Sequence, residues 1–193
     1  MKLIFATNNR HKINEVQQLL DERFVIVSPA DLGCMDDIPE NEPTLEGNAL
    51  AKARYIWDKF RMACFADDTG LEVEALKGSP GVYSARYAGE SKSADDNNAK
   101  LLSNLHGITN RAAQFRCVIA LIVDGKEYLF DGIVKGSILN EKVGEGGFGY
   151  DSVFKPDVCN CSFAQMPMNE KNKISHRGIA VSKLVDFLNN INS

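Results

Sequence analysis

The 193-residue sequence predicts a mixed α/β fold built on a long sheet flanked by helices. Three observations carry this. Lys2 to Ala6 reads as a buried strand, Ile13, Val16, Leu19 and Leu20 recur at helical spacing, and Phe24 to Val27 forms a second short strand, giving a strand–helix–strand order. Asp124-Gly125 stands between the apolar runs Arg116 to Val123 and Glu127 to Val134, a strong hairpin signal that makes part of the sheet antiparallel. Ile179, Val181, Leu184, Phe187, Leu188 and Ile191 share one face of a C-terminal amphipathic helix.

The remaining elements follow in chain order. Thr7 to Lys12 is a polar turn after the first strand, and residues 29 to 43 form a loop rich in Pro, Asp and Glu. Thr44 to Phe60 is a helix with Thr44 as N-cap and Leu45, Ala49, Ala53, Ile56, Trp57 and Phe60 on one face. Ala63 to Ala66 is a short strand that stops at Asp67-Asp68-Thr69-Gly70, and Leu71 to Ala75 alternates as an adjoining strand. Gly78 to Gly89 is loop-like and Ala94 to Leu105 is helical. The glycine loop Gly144 to Gly149 leads into Tyr150 to Pro156, a strand stopped by proline. No repeat, low-complexity tract or linker appears, so residues 1–193 read as one domain.

Composition narrows the class. With 25% charged and 44% hydrophobic residues, the chain is an ordinary globular sequence, neither disordered nor fibrous. Its net charge of −4 argues against a non-specific nucleic-acid binder. The most apolar run, Cys117 to Val123, is far shorter than the roughly 20 residues of a membrane helix. The N-terminal apolar stretch is too short for a signal peptide. The five cysteines form no disulfide framework and no zinc spacing, which predicts free thiols in a reducing cytoplasm.

Several residue groups could carry chemistry. Asp67-Asp68 follows an apolar strand, where ligands of α/β proteins collect. Paired carboxylates there can hold Mg²⁺ or accept a proton from water, although a plain Asp-Asp-Thr-Gly turn fits the pattern equally. Thr7-Asn8-Asn9 before a helix start, with Lys12, suits a phosphate, or is an ordinary Asn cap. Gly144, Gly146 and Gly149 match G-x-G-x-x-G, but a strand follows instead of a helix, so the dinucleotide reading is rejected. The loop instead lets Phe148 and Tyr150 approach a flat base, or is merely flexible. Lys171, Lys173, Ser175, His176 and Arg177 form a local basic patch or a solvated turn. Glu40, Glu42 and Glu46 offer further carboxylates. The set suits metal-assisted attack of water on phosphate better than covalent catalysis.

Taken together, these segments are more specific than any one. Phe5 to Lys12, Thr44 to Ala53, Ala66 to Leu71, Gly81 to Tyr87, Gly147 to Asp151, Glu170 to Asn172 and Ser175 to Gly178 resemble, in order, the inosine/xanthosine triphosphate pyrophosphatase family. The resemblance implies two lobes around a central nucleotide-binding cleft, a homodimer, and water attack on the α-phosphorus of ITP, dITP or XTP. The products would be the nucleoside monophosphate and pyrophosphate, with Mg²⁺ as cofactor.

The resemblance also implies roles. Thr7, Asn9 and Lys12 would bind phosphates, with Asn8, Arg10 and His11 filling the same turn, and Lys52 would add a second cation. Asp68 would accept the proton and, with Asp67 and Glu40, hold the metal, with Glu42 two residues away as the alternative to Glu40. Thr69 would lie next to substrate. Phe148, Gly149, Tyr150 and Asp151 would form the base pocket, closed by Lys171, His176 and Arg177. A 6-keto base needs a donor such as Arg177, His176 or a backbone N–H, which adenine's amino group would leave unpaired. Two other readings compete. One is a septum-associated type nucleotide pyrophosphatase acting on modified pyrimidines, opposed by Ser175-His176-Arg177-Gly178. The other is a non-catalytic nucleotide-binding module.

Overall fold

Leu3, Ile4 and Phe5 have no polar face to offer water, and strand β1 (Lys2–Phe5) accordingly sequesters all three completely. The computed structural model describes residues 1–20, 22–36, 38 and 40–191. β1 pairs in parallel with β2 (Val25–Val27), Lys2 opposite Val25, and with β3 (Cys64–Val73), Phe5 opposite Phe65. Parallel neighbours need long crossovers. Helix α1 (Arg10–Gln17) lies in one connection and α2 (Leu45–Phe60) in the other. Phe5 and Phe65 stack with their centroids 4.4 Å apart.

Local chemistry sets the helix boundaries. Asn9 caps α1, its Oδ1 accepting from His11 N at 3.0 Å. Thr44 Oγ1 accepts from Gly47 N at 3.0 Å to start α2, and Arg61, left-handed at φ 51°, ends it.

β3 differs from the expectation. A short strand stopping at Asp67 and a separate strand from Leu71 were expected, but one ten-residue strand runs through Asp67-Asp68-Thr69-Gly70. The turn-forming composition is overridden by strand pairing, with β1 against the start of this segment and the strand Ala112–Val123 as its other neighbour in the sheet. Its far end pairs antiparallel with the short β4 (Pro80–Gly81), Leu71 opposite Gly81.

The expected hairpin is present and longer than predicted. β5 (Ala112–Val123) and β6 (Lys126–Ile138) flank Asp124 and Gly125, whose positive φ values of 50° and 73° match the favoured two-residue turn. β6 then pairs antiparallel with β7 (Phe154–Pro156). The strand predicted from Tyr150 is shorter at its start, because Tyr150 and Asp151 lie in a turn. The seven-stranded sheet has the order β2-β1-β3-β5-β6-β7, with β4 beside β3. Helix α3 (Ala94–Asn104) matches its prediction. α4 (Met168–Ile174) replaces the expected charged turn, and α5 (His176–Ile191) closes the described chain. Among the described residues no helix is long and apolar enough to cross a membrane.

The chain clusters into two compact units. The first comprises Met1–Asp68, Cys117–Gly132 and His176–Ser193. Its core joins Leu3, Phe5 and Phe65 to Val16 and Leu20 of α1, Ile119 and Leu121 of β5, and Val181, Leu184 and Leu188 of α5. The second comprises Thr69–Arg116 and Ile133–Ser175. Its core gathers Leu71, Leu101, Leu105, Val134, Phe154 and Phe163, with Phe115 edge-on to Phe154 at 4.7 Å.

One glycine fixes how α5 lies on its strand. A Cβ at Gly132 of β6 would sit 2.0 Å from His176 O and 2.7 Å from Ala180 N. Both are backbone atoms of the helix start and cannot rotate away. Gly132→Ala is therefore expected to lower stability by about 1–3 kcal/mol through forced separation of helix and strand. Chemical denaturation measures this, and an unaltered midpoint would show that the close approach is not needed.

Candidate active site

The first unit assembles its site around Asp67, whose side chain is only 1% exposed. Lys12 Nζ lies 2.8 Å from Oδ1, and Arg177 Nε lies 3.1 Å from Oδ2. The α1 cap places Lys12: Thr7 Oγ1 accepts from Asn9 N at 3.2 Å, and Asn9 Oδ1 accepts from the first-turn amides. Thr7 and Lys12 are half-buried, while Asn8, Asn9, Arg10 and His11 are exposed around the same helix N-terminus. Arg177, 2% exposed at the start of α5, also donates through Nη1 to the buried Glu15 of α1.

Helix α2 contributes the neighbouring groups. Asn48 and Lys52 lie one turn apart and share a face. Asn48 Nδ2 donates to Asp68 Oδ2 at 2.9 Å, and its Oδ1 accepts from Glu42 N at 2.9 Å. Lys52 Nζ donates to the Asp67 carbonyl oxygen at 2.7 Å, ion-pairs with Glu40, and lies 3.9 Å from Asp68 Oδ1. Glu40, rather than Glu42, thus presents its carboxylate to Lys52, and Glu42 enters through its backbone.

Burial and charge set the ionisation of this cluster. Burial penalises the Asp67 carboxylate most, yet Lys12, Arg177 and Lys52 outweigh it and hold the group well below the usual range. At Asp68 burial wins: it raises the carboxyl above its ordinary value, only partly opposed by Lys52, Lys12 and the Asn48 amide. Burial would pull Lys52 down, but Asp68, Glu40 and Asp67 hold it above the ordinary lysine value. The adjacent carboxylates are therefore different reagents. Asp67 is a committed anion, and Asp68 is the better proton acceptor.

The second unit holds the other expected residues. Asp151 Oδ2 accepts from Phe148 N at 2.8 Å and from Lys171 Nζ at 2.8 Å, with both side chains almost fully buried. Lys171 Nζ also lies 4.9 Å from the Phe148 ring centroid and 5.6 Å from that of Phe163. Gly147 has φ 71°, and a Cβ there would lie 2.1 Å from Asp151 Oδ2, so only glycine admits this carboxylate so close. Asn98 of α3 donates to Gly149 O at 3.0 Å.

Tyr150 was expected to offer an aromatic face to a base, but it is 5% exposed and its hydroxyl donates to Ser84 O at 2.8 Å. Phe148 is the half-buried aromatic of the loop. Arg177, expected with Lys171 and His176 to close a base pocket, donates through Nε to Asp67 and through Nη1 to Glu15. Asp67, expected among the metal ligands, has Lys12 Nζ on Oδ1 and Arg177 Nε on Oδ2. Lys171 is buried against Asp151 instead of solvated. His176 is buried at the start of α5, and Thr69 is half-buried. Sequence reasoning missed Asn48, Glu15 and Asn98. Asn48 was detectable as a polar residue on the apolar face of α2, four residues before Lys52.

A mixed sheet whose parallel strands end beside a capped helix and matched carboxylates and cations defines the α/β class that handles phosphorylated ligands. Within that class the chain belongs to the Ham1 family, whose family model matches residues 3–187. The dITP/XTP pyrophosphatase of Flavobacterium johnsoniae is 55% identical over 188 residues, covering 97% of this chain and 98% of that protein. The solved structure of the Staphylococcus aureus Ham1 protein superposes with a TM-score of 0.90 at 39% identity, covering 99% of this chain and 100% of that one. A HAM1 protein from Coxiella burnetii gives 0.91 at 34% identity, covering 98% and 99% respectively.

The ion network yields a stability prediction. Asp67→Asn keeps the shape but leaves Lys12 and Arg177 short of a buried countercharge. The variant should lose about 3 kcal/mol in urea unfolding. A parent-like midpoint would show that Glu15 and solvent suffice to balance these cations.

Proposed function

We propose that this enzyme hydrolyses non-standard purine nucleoside triphosphates (ITP, dITP and XTP) to the nucleoside monophosphate and pyrophosphate. The observation that carries this reading is the pairing of a raised, hydrogen-bonded Asp68 with the cations Lys12 and Lys52 beside a helix N-terminus. The naming of a relative at 55% identity as a dITP/XTP pyrophosphatase supports the substrate class.

Chemistry and residues combine as follows. Thr7, Asn8, Asn9, Arg10 and His11 supply the helix-start amides and side chains that receive phosphate oxygens, and Lys12 and Lys52 add charge. Asp68 takes the proton of the attacking water as its oxygen bonds to the α-phosphorus. The bond from that phosphorus to the bridging oxygen breaks, and pyrophosphate leaves with the electron pair. Asp67 and Arg177 act as positioning residues that hold Lys12 in place. Phe148, Gly149 and Asp151, with Lys171 buttressing Phe148, contact the base, and Tyr150 braces the loop. His176 and Thr69 belong to the same substrate-binding set.

Mg²⁺ is the proposed cofactor. Among the described residues no three His, Cys, Asp or Glu side chains gather into a cage. Mg²⁺ needs only one or two carboxylates, completing its shell with waters and phosphate oxygens, and the hard oxygens of Asp68 and Glu40 on either side of Lys52 fit that demand. When bound, it would neutralise phosphate charge and polarise the scissile bond. A homodimer and a cytoplasmic setting complete the proposal, the latter in keeping with five free thiols.

A substrate panel of ITP, XTP, dITP, GTP, ATP and UTP with Mg²⁺ tests the reaction. Monophosphate and pyrophosphate from the first three, with slow turnover of the others, is the expected result. Orthophosphate release, or preference for pyrimidines, would replace the reading with another.

Asp68→Asn should lower kcat for ITP by on the order of a hundredfold or more while circular dichroism stays unaltered. Near-parental turnover would move the proton acceptor elsewhere.

A further inference from the structure

Cys159 and Cys161 stand apart from the site and from the other three cysteines. Cys34, Cys64 and Cys117 are buried, whereas Cys159 and Cys161 are half-exposed. Burial also pushes the Cys64 thiol up to about 12, leaving it unreactive. The two half-exposed sulfurs face each other 3.6 Å apart, and Cys159 Sγ lies 3.2 Å from the Cys161 carbonyl oxygen. They sit in a turn after β7, between exposed Asp157 and Val158 and buried Ser162, with Asn160 exposed between them. An S–S bond of about 2.05 Å requires the sulfurs to close by roughly 1.5 Å, which draws the backbone of the turn at Cys161 toward Cys159.

We propose that Cys159 and Cys161 form a reversible dithiol modification site that a peroxide oxidises to an intramolecular disulfide, and that closing it disturbs the glycine loop. The chemistry balances with hydrogen peroxide. One sulfur attacks a peroxide oxygen, the O–O bond breaks, and a sulfenic acid and water form. The second sulfur attacks the sulfenic sulfur, the S–S bond forms, and the S–O bond breaks. The hydroxyl leaves with the thiol proton as a second water. The sulfurs lose two electrons and the peroxide gains them.

The link to the loop is a strap of hydrogen bonds beginning at Ser162, next to Cys161. Ser162 Oγ donates to Val143 O at 2.6 Å, and Ser162 N donates to Gln165 Oε1 at 2.9 Å. Ala164 O accepts from Gly146 N at 3.0 Å, and Ala164 N donates to Asp151 O at 3.1 Å. Drawing Cys161 toward Cys159 pulls on this strap, which holds the loop carrying Phe148 and Asp151.

The test uses the full chain, reduced, desalted and exposed to hydrogen peroxide, and none of its readouts depends on nucleotide hydrolysis. Intact mass should fall by about 2 Da, two thiols should vanish from titration, one peptide should contain both linked cysteines, and dithiothreitol should restore the parent. Cys159→Ser should show no such loss. Amide exchange at Gly146 and Ala164 should quicken severalfold in the oxidised protein. Stable gain of oxygen on either cysteine, an intermolecular disulfide or no reaction at the pair would overturn the site. A formed disulfide with unaltered exchange would overturn the coupling to the loop.

Discussion

The burial of one carboxylate, Asp67, constrains much of the first unit. A fully desolvated anion is costly unless charges of opposite sign meet it with good geometry. Three elements outside β3 answer that requirement: α1 through Lys12, α5 through Arg177 and α2 through Lys52 on the Asp67 carbonyl. Moving any of these helices breaks a charge-assisted contact in a place with no water to replace it. The apolar packing of Val16, Leu20, Val181 and Leu184 supplies the bulk of the burial around this network. The ion network adds directional contacts to that packing, each tying one helix to β3. Gly132 makes the same arrangement sterically possible at α5.

The second unit repeats the device on a smaller scale. Asp151 and Lys171 neutralise each other out of water, and the carboxylate spends its remaining capacity on the Phe148 amide. The result is a glycine loop with a fixed shape. Its backbone is tied at Phe148 by Asp151, at Gly149 by Asn98 and at Gly146 by Ala164. Net charge conveys none of this. A chain at −4 presents matched ion pairs inside, and its cations are gathered where an anion would be received.

Elements governed by local chemistry were legible in the sequence. Thr44 caps α2, Asp124-Gly125 turns the hairpin, and the apolar periodicity marks α5. β3 was illegible at its centre because Asp-Asp-Thr-Gly is turn-forming by local preference. What keeps it extended is pairing with strands remote in sequence, and what neutralises Asp67 comes from as far, Lys12 being 55 positions away and Arg177 110. Whether Lys171 belonged to a basic patch or a solvated turn stayed open for the same reason, its partner Asp151 lying 20 positions back. Tyr150 looked like a platform because an aromatic beside glycines suggests exposure, and only the Ser84 carbonyl explains its burial. The ionisable residues that gather around Asp67 and Asp151 were visible in the sequence as separate candidates. Their partnerships were not, since a sequence shows which charges exist but not which of them cancel.

The continuity of β3 has a consequence for the two aspartates it carries. Side chains alternate along a strand, so neighbours in sequence are directed to opposite sides of the sheet. Asp67 is directed to α1 and α5, Asp68 to α2, and two carboxylates joined by a single peptide bond escape the mutual repulsion that a turn would have imposed. Their division of labour is thus a matter of parity. Shifting the strand by one residue would turn each carboxylate to the opposite side of the sheet, whereas a shift of two would preserve the sides and change only the depth.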